Sequence, residues 1–191
     1  MPAAPTDHRS FATRTDLDGW LRDHHAKETE LWVRVFKKGS GIPSVTWEDL
    51  VIVGLTWGWI DGLKKSLDDT SFLQRMTPRR PKSGWSKKNC EHVERLIAEG
   101  VMQPSGLAHV EAAKKDGRWD QAYAGAAEMV IPEDFLKALK KSAAAKKTYA
   151  TLNRTNLFTI YHRLHTAKTP ETRASRIAKI IETLARGERF H

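Results

Sequence analysis

Residues 57–89 read WGWIDGLKKSLDDTSFLQRMTPRRPKSGWSKKN, and the predicted fold is arranged around this stretch. Two apolar segments, Ile60 to Leu67 and Phe72 to Met76, flank a polar turn and predict a β-hairpin. Two prolines then enclose a pair of arginines, and Ser86 follows as a good N-cap for a helix. The stretch therefore predicts two antiparallel strands, a stiff basic loop and the start of a helix.

The net charge of +9 on this 191-residue chain is concentrated in two regions. From Lys137 to His191 there are 13 basic and 3 acidic residues, which give that segment a charge of +10. Between Thr70 and Cys90 there are six basic residues and no acidic one. Such a distribution favours anionic partners: nucleic acid, phosphorylated small molecules or an anionic membrane surface. For the C-terminal segment, a solvated face that only aids solubility is the alternative.

Periodicity predicts an α+β fold, in which a small antiparallel sheet packs with helices and a helical C-terminal segment follows. Alternation over residues 30–38 predicts a third strand. A helix is expected after Thr15 or Asp16, and another from Trp47 to about Trp57. The second of these helices is apolar on nearly all sides, so it should be the buried centre.

Two strongly patterned helices are predicted near the C-terminus, with apolar residues at the spacing of one helix face. Their apolar positions are Leu157, Ile160, Tyr161 and Leu164, then Ile177, Ile180, Ile181 and Leu184. We predict an α+β domain over residues 1–128 and a basic helical segment over residues 129–191.

Composition argues against several classes of protein. The longest apolar run, Val51 to Ile60, is half of the roughly 20 residues that a membrane span needs. The N-terminal residues contain no apolar stretch typical of a secretory signal. The single cysteine rules out an internal disulfide framework and any multi-cysteine metal site. These features predict a cytoplasmic protein without a membrane span, and they leave the oligomeric state open.

Three groups of residues carry a resemblance to a known family. They are Gly58-Trp59-Ile60-Asp61-Gly62, the run from Thr77 to Ser86 with Asn89, and Glu171-Thr172-Arg173 with Arg176-Ile177. This pattern resembles the YdeI/OmpD-associated family, also described as bacteriocin-protection or OmdA-type proteins, from about Phe11 to Gly187. The resemblance implies a bacterial, cytoplasmic protein with a link to stress or antimicrobial-peptide protection. It implies no catalytic residue.

The basic loop is the predicted ligand site, because guanidinium groups form paired hydrogen bonds to phosphate and carboxylate oxygens. Serine hydroxyls and the backbone N–H groups of the following helix would add donors, and Trp85 could stack on a base or sugar. An alternative is that Arg79 and Arg80 pair internally with Asp61, Asp68 or Asp69 and fix the hairpin to the sheet. The predicted ligand-binding residues are Trp59, Asp61, Arg75, Arg79, Arg80, Lys82, Ser83, Trp85, Ser86 and Asn89.

Other reactive side chains favour a structural interpretation. Cys90 shares a helix face with Val93 and Ile97, which predicts burial. His162 and His165 could touch one ligand, yet no third residue of matching character accompanies them. We therefore predict no catalytic residue, no metal site and no cofactor.

Three functions follow as hypotheses. The first is a non-enzymatic binding protein for an anionic small molecule or phosphate group. The second is an enzyme that acts on a phosphorylated or acidic metabolite in the same pocket. The third is a non-specific nucleic-acid-binding protein that uses the basic C-terminal helices. The residues proposed for that surface are Lys146, Lys147, Arg154, Arg163, Lys168, Arg173, Arg176 and Lys179.

Overall fold

A computed structural model describes Pro5 and residues 7–190, and its contacts divide the chain into two compact units. The first unit is Met1–Trp85 with Asn89–Gln121, and the second is Ser86–Lys88 with Ala122–His191. The architecture confirms the α+β prediction and the helical C-terminal segment. Within the described residues, no helix has the length and apolar character needed to cross a membrane.

The sheet of the first unit has four strands in the order β1-β2-β4-β3. They are β1 Arg9–Ser10, β2 Leu31–Phe36, β3 Trp59–Ser66 and β4 Ser71–Pro78. The three longer strands pair antiparallel, as the hairpin pattern predicted. The two-residue β1 adds in parallel to β2, because a helix connects these strands and returns the chain in the same direction. The sheet is therefore mixed at this edge, where the sequence predicted only antiparallel pairing.

Four helices accompany the sheet: α1 Arg14–His24, α2 Trp47–Trp57, α3 Lys87–Ala98, which belongs to this unit from Asn89 onward, and α4 Pro104–Lys115. Every residue of α2 from Leu50 to Trp57 is buried, as its apolar character predicted. Thr46 and Asp49 form the predicted reciprocal capping pair at its start. The core of the first unit contains buried residues of α1 and α2 together with residues of β2 and β4, such as Val33 and Met76.

Two details of these helices differ from the sequence prediction. The N-cap of α1 is Thr13, whose hydroxyl accepts from the backbone N–H of Asp16, so the helix begins before Thr15. Asp16 instead reaches back to the N–H of Thr13, which completes a capping box. Trp47 is 53% exposed despite the burial expected around α2, because it occupies the first position of the helix.

Glycine permits two close approaches to α2. A methyl group at Gly106 of α4 would contact the carbonyl oxygen of Thr56 and would lie 2.6 Å from that of Leu55. A methyl group at Gly54 would lie 2.9 Å from the Met76 side chain. The packing of α4 against the end of α2 therefore needs a residue without a side chain at position 106.

The second unit contains four helices: α5 Glu133–Leu139, α6 Ala143–Tyr149, α7 Arg154–His165 and α8 Pro170–Ala185. Its core contains the predicted stripes of α7 and α8 together with α5 and α6, as the burial of Phe135, Ala145, Ile160, Leu164, Ile180 and Leu184 shows. Thr169 caps α8 and Pro170 occupies its first turn. The predicted domain boundary after residue 128 stays a prediction.

Candidate functional site

The end of β4 places Arg79 against the C-terminal end of α2. Helix α2 ends at Gly58, whose φ of 77° is a left-handed conformation that glycine adopts without strain. The backbone N–H of Arg79 donates to the carbonyl of Gly58 at 2.8 Å. Helix α4 is fixed to the same end of α2, because the Ser105 hydroxyl donates to the Trp57 carbonyl at 3.0 Å.

The side chain of Arg79 turns inward and is only 4% exposed. Its Nη2 donates to the carbonyl oxygen of Gly84 at 2.8 Å, and the guanidinium carbon lies 3.7 Å from the centroid of the Trp85 ring. Trp85 is itself 2% exposed and packs against Trp119 with ring centroids 5.0 Å apart. A guanidinium over an indole face is a favourable cation–π arrangement, and more so when it is removed from water.

Arg118 approaches the same loop from the turn that follows α4. Its Nη1 donates to the carbonyl of Ser83 at 2.7 Å, and its Nε binds both carboxylate oxygens of Asp116 at 2.8 Å. Gly117, with a φ of 76°, forms the turn that presents this arginine. The side chain is 18% exposed, so a second guanidinium is partly buried beside the basic loop.

His109 of α4 completes what we call the arginine–tryptophan cluster, which consists of Arg79, Trp85, His109, Arg118 and Trp119. Burial lowers the pKa of His109 below its usual 6.5, and the positive charges of Arg79 and Arg118 lower it further. The imidazole is therefore neutral near pH 7 and lies in a region of positive potential. Two guanidinium groups and a neutral imidazole can donate hydrogen bonds to a small anion.

The predicted site residues separate into three groups. Arg79 and Trp85 belong to the cluster, and Ser83 contributes its carbonyl oxygen to Arg118. Arg80 and Lys82 lie on the exposed loop between them. The others lie elsewhere: Trp59, Asp61 and Arg75 on the strands, Asn89 on α3, and Ser86 in the second unit, where it bridges to Tyr123.

The three strand residues have structural contacts. Trp59 is 1% exposed, and its Nε1 donates to the carbonyl of His25. Asp61 accepts a hydrogen bond from the indole of Trp47 at 3.0 Å. Arg75 forms an ion pair with Glu30 at 2.7 Å. These contacts account for the three side chains without a ligand.

Two of the three aspartates that were considered as internal partners of the arginine pair, Asp61 and Asp68, bind elsewhere. Asp68 pairs with Arg34 at 2.7 Å. Hydrogen bonds from the hydroxyls of Ser71 and Thr70 hold the pKa of Asp68 at about 2. Asp61 is bound by Trp47 as described. The internal alternative is therefore not supported by these two carboxylates.

Sequence reasoning missed His109 and Arg118. Both lie more than 20 residues beyond the basic loop, and no local pattern connects them to it. The one available signal was the dipeptide Arg118-Trp119 directly after a glycine turn, which again sets an arginine near a tryptophan. The buried thiol of Cys90 agrees with its prediction as a core residue, and burial raises its pKa to about 11.

The arginines of the basic surface predicted for the second unit have contacts within the protein, and two of them, Arg154 and Arg163, are also exposed. Arg154 donates to the carbonyls of Ala126 and Ala127, and Arg176 to that of Arg163. Arg173 pairs with Asp134 at 2.6 Å, and the guanidinium of Arg163 lies over the Phe190 ring. The remaining cations of the set are lysines, and all are exposed: Lys146, Lys147, Lys168 and Lys179.

Comparison with known proteins gives two matches to family models. A domain of unknown function (DUF8412) matches residues 9–109, which contain the hairpin, Arg79, Trp85 and His109. The family described as bacteriocin-protection, YdeI or OmpD-associated matches residues 128–187, which contain α5 to α8. No curated protein and no solved structure matches the chain. The two models therefore correspond to different parts of the chain, whereas the motif resemblance extended over nearly all of it.

Proposed function

We propose that this chain, which belongs to the DUF8412 family and carries a YdeI/OmpD-associated segment, is a non-enzymatic protein that binds a small anion. The proposal assigns binding to the arginine–tryptophan cluster of the first unit. A phosphate or carboxylate group is the chemistry that two guanidinium groups would recognise. The proposed location is the cytoplasm.

The observation that carries this proposal is that two guanidinium groups, one buried and one partly buried, bind the adjacent carbonyls of Ser83 and Gly84. Arg79 is 4% exposed and the Arg118 side chain 18%, and both charges act on His109. Asp116 offsets part of the charge of Arg118, and a bound anion would further stabilise two guanidinium groups that are largely removed from water. The neutral imidazole adds a donor without adding to the repulsion between the two cations.

The same geometry limits the kind of anion. The sequence suggested that Trp85 could stack on a nucleobase, but its ring is 2% exposed and lies between Arg79 and Trp119. The faces of this indole are thus occupied within the protein. We therefore propose a compact anion, or the anionic group of a larger molecule, rather than a ligand held by aromatic stacking.

Calorimetric titration with inorganic phosphate at constant ionic strength tests the proposal. Arg118→Ala removes a guanidinium at the edge of the cluster, and we expect the affinity to fall roughly 10- to 100-fold, the value of a charged hydrogen bond. Arg75→Ala is the matched control, since it removes the same charge from an exposed ion pair. Equal weakening by both substitutions would indicate general electrostatic attraction and would contradict the proposal.

An enzyme that acts on a phosphorylated or acidic metabolite is the competing use of the same residues. The lowered pKa of His109 supports it, because a neutral imidazole can accept a proton. Turnover of a phosphorylated compound that is lost in His109→Asn, with phosphate affinity retained, would favour the enzyme over the binding protein.

A nucleic-acid role for the second unit is favoured by its lysines. Lys140, Lys141, Lys146 and Lys147 are all exposed within eight residues of chain. Binding through them would be independent of sequence and would weaken steeply as salt rises. Labelled duplex and single-stranded DNA should then bind the wild type and Arg118→Ala equally, and should bind much less to a Lys146→Glu, Lys147→Glu double variant.

The family name refers to bacteriocin protection, and we propose that any such protection is indirect. Cationic peptides and a chain of net charge +9 repel each other over long range. Protection would then act through the anion that the cluster binds or through a regulated partner. Tight binding of a cationic antimicrobial peptide at physiological salt would exclude this indirect route.

A further inference from the structure

An open groove of about 550 Å³ lies between α5 and α8 in the second unit. Its apolar lining consists of Ala138 from α5 and, from α8, Ala174, Ile177, Ala178 and Ile181. Charged residues border it: Asp134, Lys141 and Glu182. Ala174 and Ala178 are exposed, so the apolar floor is open to solvent.

The groove side of α8 adjoins the face that the helix buries, because Ile177 and Ile181 are partly buried against the core while Ala174 and Ala178 are exposed. Ile180 and Leu184 are fully buried in the core of the unit and account for its attachment there. Ala174, Ala178 and Ile181 follow at intervals of four and three residues, which is the spacing with which one helix packs lengthwise on another. A helix that only covers its own core needs one apolar face. The groove therefore fits a further helix.

We propose that this groove is the interface between two copies of the chain, in which their α8 helices pack antiparallel about a two-fold axis. The axis passes between Ile177 and Ala178. Ala174 of one copy then faces Ile181 of the other, and Ile177 faces Ala178. Every contact in this register joins a large side chain to a small one, so the surface is complementary to itself, as a two-fold interface requires.

The charges at the ends of the groove fit the same arrangement. Asp134 lies near the start of α8, where Arg173 binds it, and Glu182 lies near the opposite end, where Arg186 binds it at 2.8 Å. Lys141, also on the groove border, has no ion-pair partner among the described residues. A two-fold axis would bring Lys141 towards the Asp134 end of the second copy. Opposite charges would thereby meet across the interface.

The size of the groove predicts a weak dimer. Stable interfaces bury about 800 Å² on each partner, and a strip along one helix and part of another supplies less. Only the surplus over the entropy cost of association appears as affinity. We therefore expect half-dissociation at roughly 10 to 100 µM chain.

Sedimentation equilibrium of the full chain over about 5 to 500 µM tests the association. The average mass should rise from that of the 21.6 kDa monomer towards twice that value. Ala178→Glu places a charge on the axis and should weaken association at least tenfold. Ser175→Glu adds the same charge at an exposed position on another side of α8 and should leave it within twofold.

Disulfide trapping tests the register of the two helices. With Ala178→Cys, the introduced thiols would lie next to each other across the axis, and mild oxidation should give a covalent dimer. Lys179→Cys, one residue away on a different side of the helix, should cross-link at least tenfold more slowly. The native Cys90 is buried and its raised pKa keeps it as the thiol, so it should not compete.

Three results would overturn the proposal. One is a mass that stays at the monomer value at every concentration. Another is a dimer that Ala178→Glu leaves intact, since it would use a different surface. The third is a monomer in which the groove binds an apolar dye and loses it in Ala178→Glu, which would assign the groove to a small apolar ligand.

Discussion

In the first unit, Arg79 is 4% exposed and packs on a tryptophan, whereas several arginines of the second unit bind backbone carbonyls from more exposed positions. Arg154 and Arg176 are examples of the latter. In the second unit, which has the larger net charge, these arginines therefore stabilise the unit's own loops and helices. The first unit has equal numbers of basic and acidic residues, and two of its arginines, Arg79 and Arg118, belong to one cluster.

The units also differ in their aromatic residues. All seven tryptophans fall in the first unit, at positions 20, 32, 47, 57, 59, 85 and 119. The second unit has tyrosine and phenylalanine but no tryptophan, and its described residues are largely helical. Tryptophan fluorescence therefore reports on the first unit, while far-ultraviolet circular dichroism includes a strong contribution from the second. This difference allows each unit to be perturbed and observed separately.

Phe135→Ala should have the largest effect and should act on the second unit. The ring is fully buried among Ile160, Leu164 and Ile180, so its removal leaves a cavity in a small core. We expect the free energy of unfolding of this unit to fall by about 3–5 kcal/mol. Circular dichroism should show the loss at a urea concentration where tryptophan fluorescence is unchanged. A simultaneous change of both signals would show that the two cores do not unfold independently.

Gly106→Ala should have the next largest effect and should act on the first unit. The added methyl group would meet the carbonyl oxygens at the end of α2, which cannot move as a flexible side chain would. We expect a loss of about 1–3 kcal/mol, typical of overpacking. Tryptophan fluorescence should detect it. Gly39→Ala, in the same unit and with nothing within 4 Å of the added methyl group, is the matched control and should change stability much less.

Arg173→Ala tests whether the surface arginines of the second unit are structural. The side chain binds both oxygens of Asp134 and the carbonyl of Leu164, and its hydrogen bonds are the main reason that the pKa of Asp134 is lowered below 3.8. About a third of each side chain or more is exposed, so we expect a loss of only about 1 kcal/mol at pH 7.

The pH dependence of that loss follows from the direction of the shift. Asp134 binds protons more weakly in the folded chain, so the pair stabilises the fold above pH 3.8, and this contribution is lost as pH falls through the folded pKa. The difference between wild type and Arg173→Ala should therefore shrink below about pH 4. Urea titrations at pH 7 and pH 3.5 measure it. A difference that stays constant would mean that the carboxylate plays no part.

The smallest effect concerns His109. A bound anion would offset the charges of Arg79 and Arg118, so phosphate should raise the pKa of His109 towards 6.5. Nuclear magnetic resonance of the imidazole, assigned with a His109→Asn variant, measures this in the presence of phosphate or chloride. His162 of the second unit, whose pKa is lowered mainly by burial, should not respond and serves as the internal control. Equal shifts of both residues would contradict the proposed site.

The features that sequence predicted well depend on neighbouring residues. The Thr46–Asp49 capping pair, the hairpin and the apolar stripes of α7 and α8 each lie within a few residues, so propensity and periodicity determine them. The parallel addition of β1 was missed because it depends on where α1 returns the chain. Arg79 was predicted in the site, but its burial was not, since arginine usually lies at a surface.

For a related reason, the sequence did not predict that His109 and Arg118 would lie in the same cluster as Arg79. His109 lies on α4, whose packing against the end of α2 the glycine at 106 permits, and Arg118 lies in the turn after α4. The contact between α2 and α4 joins segments some 50 residues apart, and neither segment has a sequence pattern that predicts contact with the other. Long-range contacts of this kind depend on how well two helix surfaces fit together, and this fit cannot be derived from a single sequence.

The glycine contact between α2 and α4 could also help to identify distantly related proteins. A relative that has diverged beyond detectable similarity can replace its apolar residues with one another, whereas a side chain at position 106, where the Thr56 and Leu55 carbonyls approach, would be destabilising. A search template could therefore require a small residue near the C-terminal end of one helix and a glycine at the start of a second helix, with a hairpin between them. This geometric feature would still be detectable in proteins in which the arginines and tryptophans of the cluster have been replaced.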